Sequence, residues 1–279
     1  ASKQIIGILG IYQDITQHKL AEAQRSGQEL VLEKIAVGTP LAETLDLLIR
    51  VVEAQSYGIL GSILLLDEDG IHIRHGAAPS LPAEFIAAVD GQPIGPVAGS
   101  CGTAAFRKEA VFVEDIATDP LWENYRAAAL PHGLRACWST PIFDAQHKVL
   151  GTFAMYYRQP GLPLPEHQQL IDNVTHIAAI AISRQREEIL LRNSESRLRN
   201  IIDGLGPNMF VGLLNTKGVV LETNHQALEA AGLEPEDVLG KLVEETYWFG
   251  YSEKNKQLMR KAIARAARGE PSRFDVQIR

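Results

Sequence analysis

The most informative segment of the chain is RACWSTPIFDAQHKVLGTFAMYY, residues 135–157. Its two ends, RACWSTPIF and KVLGTFAMYY, are rich in β-branched and aromatic residues, and the polar residues 144–147 join them. Two such runs around a short polar segment are typical of a β-hairpin. The sequence therefore predicts two consecutive antiparallel strands at this point of the chain.

A second hairpin is predicted upstream, in GSILLLDEDGIHIRHG, residues 61–76. Its two β-rich runs flank residues 67–70, whose acidic side chains and final glycine suit a tight turn. The two hairpins are separated by an irregular stretch in which short helices are predicted after Pro82, Ser100 and Pro120. The run AVFVEDI, residues 110–116, is predicted as a strand between the last two helices.

Two longer helices are predicted from their caps and their apolar spacing. Thr39 suits an N-cap and Pro40 a first helical position, and the apolar residues after them share one face. These residues are Leu41, Leu45, Leu48, Val51 and Val52. Pro165 opens a helix that we expect to run to about Asp203. The first half of this helix should pack on the sheet through Leu170, Val174, Ile177 and Ala181.

The two ends of the chain carry further β-rich segments. The run IIGILGIYQDIT, residues 5–16, predicts a strand and is followed by helix-favouring residues 18–36. Residues 209–233 predict a strand, an Asn-Thr-Lys-Gly turn, a strand and a helix. Helices near Glu234 and Glu253 and a last strand, FDVQIR, should come next. Since neither end supplies a complete sheet, we expect an interior segment of a longer protein.

Composition narrows the class of protein. The 279 residues exceed the usual length of one domain, so two compact units are expected. A net charge of -7 disfavours a nucleic-acid binder, because phosphates are held chiefly by clustered Lys and Arg. Two cysteines cannot form a disulfide framework, which favours a cytoplasmic location. No apolar run reaches the ~20 residues that span a bilayer, so no membrane span is expected in this segment.

The chain carries a family resemblance along most of its length. Two segments resemble the central part of a bacterial GAF domain, which would span residues 39–184. They are GSCGTAAFRKEAVFVEDIATDPLW and GLRACWSTPIFDAQHKVLGTFAMYY. A later segment is similar to the start of a PAS domain: RLRNIIDGLGPNMFVGLLNTKGVVLETNHQALEAAGLEPEDVLGK. The later helix and strand of that domain are resembled by the segment ARAARGEPSRFDVQIR. The opening GIYQDITQHKLAE resembles the last strand and exit helix of a preceding PAS domain.

This resemblance implies an α+β fold, in which the antiparallel sheet and helices of a GAF domain are joined by a long helix to a partial PAS domain. The implied order begins with the end of a PAS domain at residues 1–19 and a helical linker at 20–38. The GAF domain follows at 39–184, then a second helical linker at 185–205 and the N-terminal part of a PAS domain at 206–279. Bacterial sensor histidine kinases and cyclic-di-GMP turnover proteins carry such modules upstream of their output domains.

The sequence contains no catalytic output motif. It has no histidine phospho-acceptor box, no GGDEF or EAL string and no glycine-rich loop that ends in Gly-Lys-Ser/Thr. The histidines lack the spacing of a helical zinc site, so no metal site is predicted. We therefore expect no catalytic residue in this chain, and the enzyme of the parent protein, a histidine kinase or a cyclic-di-GMP enzyme, should lie elsewhere.

Cys101 supports one alternative function. It lies near a predicted helix start, where unpaired N–H groups depress the pKa of a thiol. The string GSCGTAA also resembles the free methionine sulfoxide reductases, which are GAF-fold enzymes that use several cysteines. Cys137 lies only four residues before Pro141, which is nearer than expected for the attacking cysteine of that family. The favoured interpretation is a buried, inert Cys101.

A small-molecule pocket is a second open question. The GAF resemblance places several segments on the concave side of the sheet, and aromatic side chains with a few polar groups suit a ligand pocket. The candidates are Cys101, Phe112, Trp122, Tyr125, His132, Trp138, Phe153 and Met155. Core packing explains each of them equally well, so an empty, packed domain remains the alternative.

The sequence identifies no cofactor. The cyclic-nucleotide signature of some GAF domains is not visible, and Cys137 is not followed by the histidine usual at a bilin attachment site. In the PAS segment, Asn224 and the aromatic residues 247–249 either face a flavin or haem or belong to the core.

We expect a sensory and relay segment that couples a signal to an output domain through its linker helices. A homodimer is expected, with Leu191, Leu198, Ile202 and Leu205 on the seam, because these residues resume the spacing of alternating four and three. The alternatives are the thiol-based reductase and a dimerisation scaffold without any ligand.

Overall fold

A computed structural model describes residues 16–55, 58–204 and 209–278. The chain divides into two compact units, Ala1–Glu187 and Glu188–Arg279. The strand predicted at residues 5–16 lies, up to residue 15, outside the described residues.

The first unit is built on a five-stranded antiparallel sheet with the strand order β2-β1-β5-β4-β3. Both predicted hairpins are confirmed. They meet at the centre of the sheet, where β1 pairs with β5 and Ile63 lies opposite Phe153. The strands are β1 Leu60–Leu66, β2 Ile73–Ala77, β3 Val111–Val113, β4 Ala136–Phe143 and β5 Val149–Tyr157. The strand β3 is shorter than the predicted run of residues 110–116.

Three helices cover one face of the sheet: α1 Thr16–Ala36, α2 Leu41–Gln55 and the first half of α6 Pro165–Asp203. The predicted apolar faces of α2 and α6 are confirmed, because their central residues lie in one buried core with Phe153 and Met155. From α2 these are Leu45, Leu48 and Val52, and from α6 Leu170, Val174, Ile177 and Ala181. Val31 and Ile35 of α1 pack in the same core, so this helix, expected as a linker, belongs to the first unit.

Short elements cover the other face: α3 Ala83–Val89, α4 Gly99–Arg107, α5 Arg126–Ala129 and the 3-10 turns Pro120–Trp122 and Leu130–His132. They confirm the short helices predicted after Pro82, Ser100 and Pro120. A second core lies beneath them and includes Phe85, Ile116, Leu134, Cys137 and Tyr156. The sheet is therefore buried on both sides, and its two faces contact different sets of elements.

The second unit contains a two-stranded antiparallel sheet of β6 Gly212–Leu214 and β7 Val220–Thr223. The predicted turn between them is confirmed, and the side chain of Asn215 accepts hydrogen bonds from the N–H groups of Lys217 and Val219. The helices α7 His225–Ala231, α8 Pro235–Val238 and α9 Glu253–Ala266 come after this sheet. A small core of Val220, Leu228, Val238 and Val243 holds these elements together.

The prediction of a strand in FDVQIR is wrong for residues 274–278, which form no strand. A strand requires a neighbour that pairs with its backbone, and none of the described strands pairs with this segment. The carbonyl of Gln277 instead accepts hydrogen bonds from Tyr251 Oη and Asn255 Nδ2, each at 2.7 Å.

Candidate functional site

The two central strands of the first unit place neighbouring residues on opposite faces of the sheet. On β4, Cys137 faces the core beneath α3 and α4, whereas Trp138 faces the core beneath α2 and α6. On β5, Tyr156 lies on the α4 side and Met155 on the α6 side. The reason is that successive side chains of a β-strand point to opposite faces of the sheet. On each of these strands, two residues joined by a peptide bond therefore lie in different cores.

The helix α4 brings Cys101 onto the sheet. The helix begins at Gly99, whose positive φ of 62° is easily adopted only by glycine. No side chain caps this helix start, and Thr103 Oγ1 accepts the backbone N–H of Ala98 at 3.0 Å. Ser100 Oγ donates to the carbonyl of Cys137 at 3.2 Å and accepts from Trp122 Nε1 at 3.0 Å. Ser100 thus attaches the start of α4 to β4.

Around Cys101 lies a buried group of thiols and hydroxyls, which we call the thiol cluster and define as Cys101, Cys137, Ser139, Thr152 and Tyr156. The Sγ atom of Cys101 is 3.7 Å from Tyr156 Oη. Both cysteines are free and buried. The hydroxyls of Ser139 and Thr152 are fully buried and have no hydrogen-bond partner. The hydrogens of these two hydroxyls are therefore free to turn toward Cys101 when its thiol is ionised.

The two thiols differ in acidity. The pKa of Cys101 is lowered to about 7, chiefly by a hydrogen bond from the Cys137 thiol, although burial of the thiol opposes this. The hydroxyls of Ser139, Tyr156 and Thr152 lower this pKa further. Burial raises the pKa of Cys137 well above its ordinary value, and the pKa of Tyr156 is raised for the same reason. Cys101 is therefore the group of the cluster that loses its proton first.

A small cavity lies beside Cys101. The space open to the centre of a water molecule is about 20 Å³, which is enough for about one water. A drug-sized ligand needs a pocket of roughly 300 Å³ or more. The cavity is lined by Leu64, Ile73, Val89, Gln92, Ala98, Gly99, Ser100, Cys101, Trp122, Tyr125 and Tyr156. In this conformation the site admits a molecule of about the size of water.

The predicted pocket residues do not lie around one cavity. Cys101, Trp122 and Tyr125 line the small cavity. Three others, Trp138, Phe153 and Met155, lie on the opposite face of the sheet in the core formed with α2 and α6. The physical reason is the alternation of side chains along β4 and β5. In this structure the three side chains pack in the core with α2 and α6.

The two remaining candidates lie outside the cavity lining. Phe112 is 39% exposed on the edge strand β3. His132 ends the 3-10 turn Leu130–His132, and its carbonyl accepts a hydrogen bond from Arg158 Nη1 at 2.8 Å.

Most of the thiol cluster was not predicted from the sequence. Ser139 and Cys137 are two residues apart on β4, and Thr152 and Tyr156 are four apart on β5, so each pair shares one strand face. This regular spacing of polar residues in two apolar strands was the available signal. It shows which residues share a face, but the position of α4 over that face depends on contacts distant in sequence.

On the opposite face, a second cluster holds the start of α6. Trp138 Nε1 donates to the carbonyl of Gly161 at 2.9 Å, and its ring centre is 4.4 Å from that of Tyr157. Tyr157 Oη lies 3.2 Å from His167 Nε2, while His167 Nδ1 accepts the backbone N–H of Leu164 at 2.9 Å. Because the ring centre of Trp138 also lies 5.2 Å from that of His167, the residues directly after Cys137 and Tyr156 in sequence both contact the first turn of α6.

Further along α6, Arg186 binds the helix to backbone carbonyls at the ends of two neighbouring strands, β1 and β5. Its Nη2 donates to the carbonyl of Leu66 at 2.5 Å and to that of Leu150 at 3.3 Å. These carbonyls belong to β1 and β5, so the helix is bonded to the two strands at the centre of the sheet.

The candidates in the second unit have structural roles. Asn224 is buried and accepts the N–H of Val211, while its Nδ2 donates to the carbonyl of Met209 and to Gln226 Oε1. Trp248 and Phe249 pack against the small core, and Tyr247 is 42% exposed. These contacts favour the core interpretation of both features.

Three observations concern the predicted seam, metals and membranes. Leu191 and Leu198 are 60% and 58% exposed, Ile202 is half-buried, and Leu205 lies outside the described residues. In residues 16–55, 58–204 and 209–278, no group of three or more His, Cys, Asp and Glu could hold a metal ion. None of the described helices has both the length and the apolar character needed to cross a membrane.

Comparison with known proteins identifies both units. Residues 38–183 match the profile of the GAF domain family, and residues 196–279 match that of the PAS fold. The order of GAF domain and PAS fold expected from the sequence is thereby confirmed, as is the α+β fold class.

Two curated relatives are signalling proteins. A methyl sulfide methyltransferase-associated sensor from Methanosarcina acetivorans is 34% identical over 254 residues, which are 89% of this chain and 25% of that protein. The sensor histidine kinase TmoS from Ectopseudomonas mendocina is 37% identical over 84 residues, 30% of this chain and 8% of that protein. The chain thus spans a quarter or less of the length of these relatives.

Among solved structures, a free methionine-R-sulfoxide reductase from Neisseria meningitidis is similar, with 14% identity and a TM-score of 0.48. The match covers 65% of this chain and 98% of that one. A likeness of this degree does not separate a reductase from a sensor.

Proposed function

Since this chain belongs to the GAF domain family and carries a PAS fold after the GAF domain, we propose that it is the sensory and relay region of a larger signalling protein. The two relatives named as sensors support this role. In this proposal the chain performs no catalysis, and the output is a histidine kinase or a cyclic-di-GMP enzyme outside these residues. The cytoplasmic location expected from the two free cysteines is part of the same proposal.

The observation that carries the proposal is the arrangement of neighbouring residues on β4 and β5. Cys137 and Tyr156 belong to the thiol cluster, whereas Trp138 and Tyr157 contact the start of α6. A displacement of either strand at the cavity must therefore move the residues that hold α6, because packed cores transmit small shifts. The helix α6 leads out of the GAF domain toward the PAS fold.

The relay can be tested with Trp122→Phe. This change removes the Nε1 donor to Ser100 and disturbs the contact of Trp122 with Tyr156, whose ring centres are 6.5 Å apart. We expect faster amide hydrogen exchange in residues 165–187 of α6, measured by mass spectrometry, although Trp122 lies on the other side of the sheet.

A matched control is Ile116→Val, which weakens the same core from outside β4 and β5. Such a change costs about 0.5–1.5 kcal/mol and should leave the exchange of α6 close to that of the unaltered chain. Equal effects of the two changes on α6 would show general destabilisation in place of a relay.

The homodimer remains part of the proposal, with a second copy of this chain as partner. Leu191 and Leu198 are more than half exposed and lie seven residues apart, so they share one face of α6. Leu190 and Ile201 extend this apolar face and are 65% and 54% exposed. Pairing with the same face of a second α6 would remove these side chains from water.

One observation favours a second function, the reduction of free methionine sulfoxide. Cys101 has a lowered pKa and borders a cavity, as a thiol nucleophile requires. The cavity has room for about one water, however, and a methionine sulfoxide molecule is several times larger. We expect no turnover of either sulfoxide epimer with a thiol reductant. Turnover that disappears in Cys101→Ser would establish the reductase.

A further inference from the structure

Cys101 and Cys137 reach one site from separate elements. Ser100 donates to the carbonyl of Cys137 itself at 3.2 Å, which places the start of α4 directly on this part of β4. Tyr156 lies opposite Cys137 in the pairing of β4 with β5, and its Oη is 3.7 Å from Cys101 Sγ. The thiol of Cys101 therefore contacts the cross-strand neighbour of Cys137. Both cysteines lie in the same buried core, and Cys137 is the largest contributor to the lowered pKa of Cys101.

The surroundings of Cys101 suit a thiolate better than a thiol. The hydroxyls of Ser139 and Thr152 are fully buried and have no partner, so their hydrogens are available to a nearby anion. Cys101 is the third residue of α4, where backbone N–H groups and the helix dipole favour negative charge. A neutral thiol would leave most of these donors unused, whereas a thiolate accepts from several of them.

The two cysteines differ in access. Cys101 lines the cavity and is 6% exposed, whereas Cys137 is fully buried and does not line it. The space suits a molecule close to water in size, such as hydrogen peroxide, and excludes bulky organic peroxides. An oxidant in the cavity therefore meets Cys101 first, with Cys137 behind it.

We propose that Cys101 and Cys137 are a peroxide-reactive pair that forms a reversible disulfide within the GAF domain. The Cys101 thiolate attacks one oxygen of hydrogen peroxide, the O–O bond breaks, and the released hydroxide takes a proton to become water. Cys101 is then a sulfenic acid. The Cys137 sulfur, after losing its proton, attacks the sulfenic sulfur, the S–S bond forms, and the hydroxyl leaves with a proton as a second water. Two thiols are oxidised and one peroxide is reduced to two waters.

The disulfide would tighten the contact of α4 with β4. A sulfur–sulfur bond is about 2 Å long, so forming it must draw the two sulfur atoms to covalent distance. This chemistry goes beyond the proposed function, and its occurrence does not depend on the relay through α6. A small dithiol would reverse it by thiol–disulfide exchange.

The test is the intact mass of the unaltered chain after treatment with hydrogen peroxide at neutral pH. We expect the loss of two hydrogens without a change in oligomeric mass, a cross-link between the peptides of Cys101 and Cys137, and full reversal by dithiothreitol. In Cys137→Ala the reaction should stop at Cys101 sulfenic acid, seen as the gain of one oxygen and captured by dimedone when the protein is unfolded after the peroxide is removed. In Cys101→Ala the remaining thiol should resist oxidation.

Two results would overturn the proposal. One is that both thiols of the folded, unaltered chain stay free at peroxide concentrations that oxidise an exposed cysteine of a reference peptide. The other is that the two cysteines oxidise independently or form disulfides between chains. The measurement on the unaltered chain needs no variant to fold, and circular dichroism verifies the fold of the two alanine variants. Failure here leaves the exchange experiment on α6 unaffected, so the two proposals are tested separately.

Discussion

Three buried hydroxyls, of Ser62, Ser139 and Thr152, have no hydrogen-bond partner in the part of the chain that the structure describes. All three lie on the α4 side of the sheet, because Ser62 and Ser139 both pair with Ala154 of that face. A buried donor without a partner costs about 1–3 kcal/mol of folding free energy. A negative charge on Cys101 would offset part of this cost, which links the stability of the cluster to its chemistry.

Two serines on this face allow a direct comparison. Ser139→Ala removes a hydroxyl without a partner, so we expect the free energy of unfolding to stay equal or rise by up to about 1 kcal/mol. Ser100→Ala removes both the bond to the Cys137 carbonyl and the acceptor of Trp122 Nε1, and should cost about 1–3 kcal/mol. Urea denaturation followed by tryptophan fluorescence measures both. Equal losses in the two variants would contradict the assignment of Ser139.

The acidity of Cys101 gives a prediction on pH. Its pKa is about 7, and the Tyr156 hydroxyl is one of the groups that lower it. Tyr156→Phe removes this donor from the thiolate, so the pKa of Cys101 should rise. The ultraviolet absorbance of the Cys101 thiolate, followed by pH titration of the folded chain, should then appear at higher pH than in the unaltered chain.

The neighbouring tyrosine is the control for this experiment. Tyr157 lies on the other face of the sheet and contacts His167. Tyr157→Phe should leave the pH profile of the Cys101 thiolate absorbance unchanged. A shift of equal size in both variants would mean that loosening of the strand, and not loss of the donor, controls the acidity of Cys101.

The helix α6 is the element through which the GAF domain continues into the PAS fold. Its first turn is held by Trp138, Tyr157 and His167, and its further course by Arg186 at the carbonyls of Leu66 and Leu150. Both attachments are on β1, β4 and β5, the three central strands. Any change that separates α6 from these strands must break polar bonds as well as apolar contacts.

Arg186→Met tests the second attachment. It keeps the aliphatic part of the side chain and removes a charged donor from two carbonyls, which should lower the free energy of unfolding by about 1–3 kcal/mol. Arg184→Met is the control, because Arg184 makes one bond of 3.3 Å, to the exposed carbonyl of Ala36. We expect a loss below about 0.5 kcal/mol there. Denaturation curves that coincide for the two variants would exclude a special role of Arg186.

In the proposed homodimer the contact is made by the second half of α6, which carries apolar side chains that the described residues of its own chain leave exposed. Leu190, Leu191, Leu198 and Ile201 are all more than half exposed. Burial of such side chains contributes about 25 cal/mol per Å², and association must first overcome the lost freedom of two chains. A dimer of moderate affinity is the expected balance.

Charges introduced on this face should separate the dimer. In the double variant Leu191→Glu, Leu198→Glu the two helices would bring like charges together, so we expect a monomer by light scattering at tens of micromolar. Asn193→Glu with Asn200→Glu adds the same charge on the opposite face of α6, where both residues are exposed, and should keep the dimer. A monomeric unaltered chain, or a dimer that survives the leucine changes, would disprove this seam.

Much of the architecture follows from local patterns. The two hairpins, the bounds of α6 and the apolar faces of α2 and α6 were predicted because turn residues and periodicity act over a few neighbouring positions. The strand predicted at FDVQIR failed for residues 274–278, since a strand exists only when another strand pairs with it. The same limit applies to β3, whose pairing with β4 ends after three residues.

The local elements of this protein, and the resemblance of its two units to known families, could be read from the amino-acid sequence alone. The two-residue spacing of Cys137 and Ser139 places them on one strand face, but it carried no prediction of a site. Tertiary packing was needed to place Trp138, Phe153 and Met155 against α2 and α6, and to bring Cys101 to Cys137 and Tyr156 beneath α4. The physical reason is that alternation defines two faces of a strand, whereas packing between residues far apart in the chain decides what covers each face.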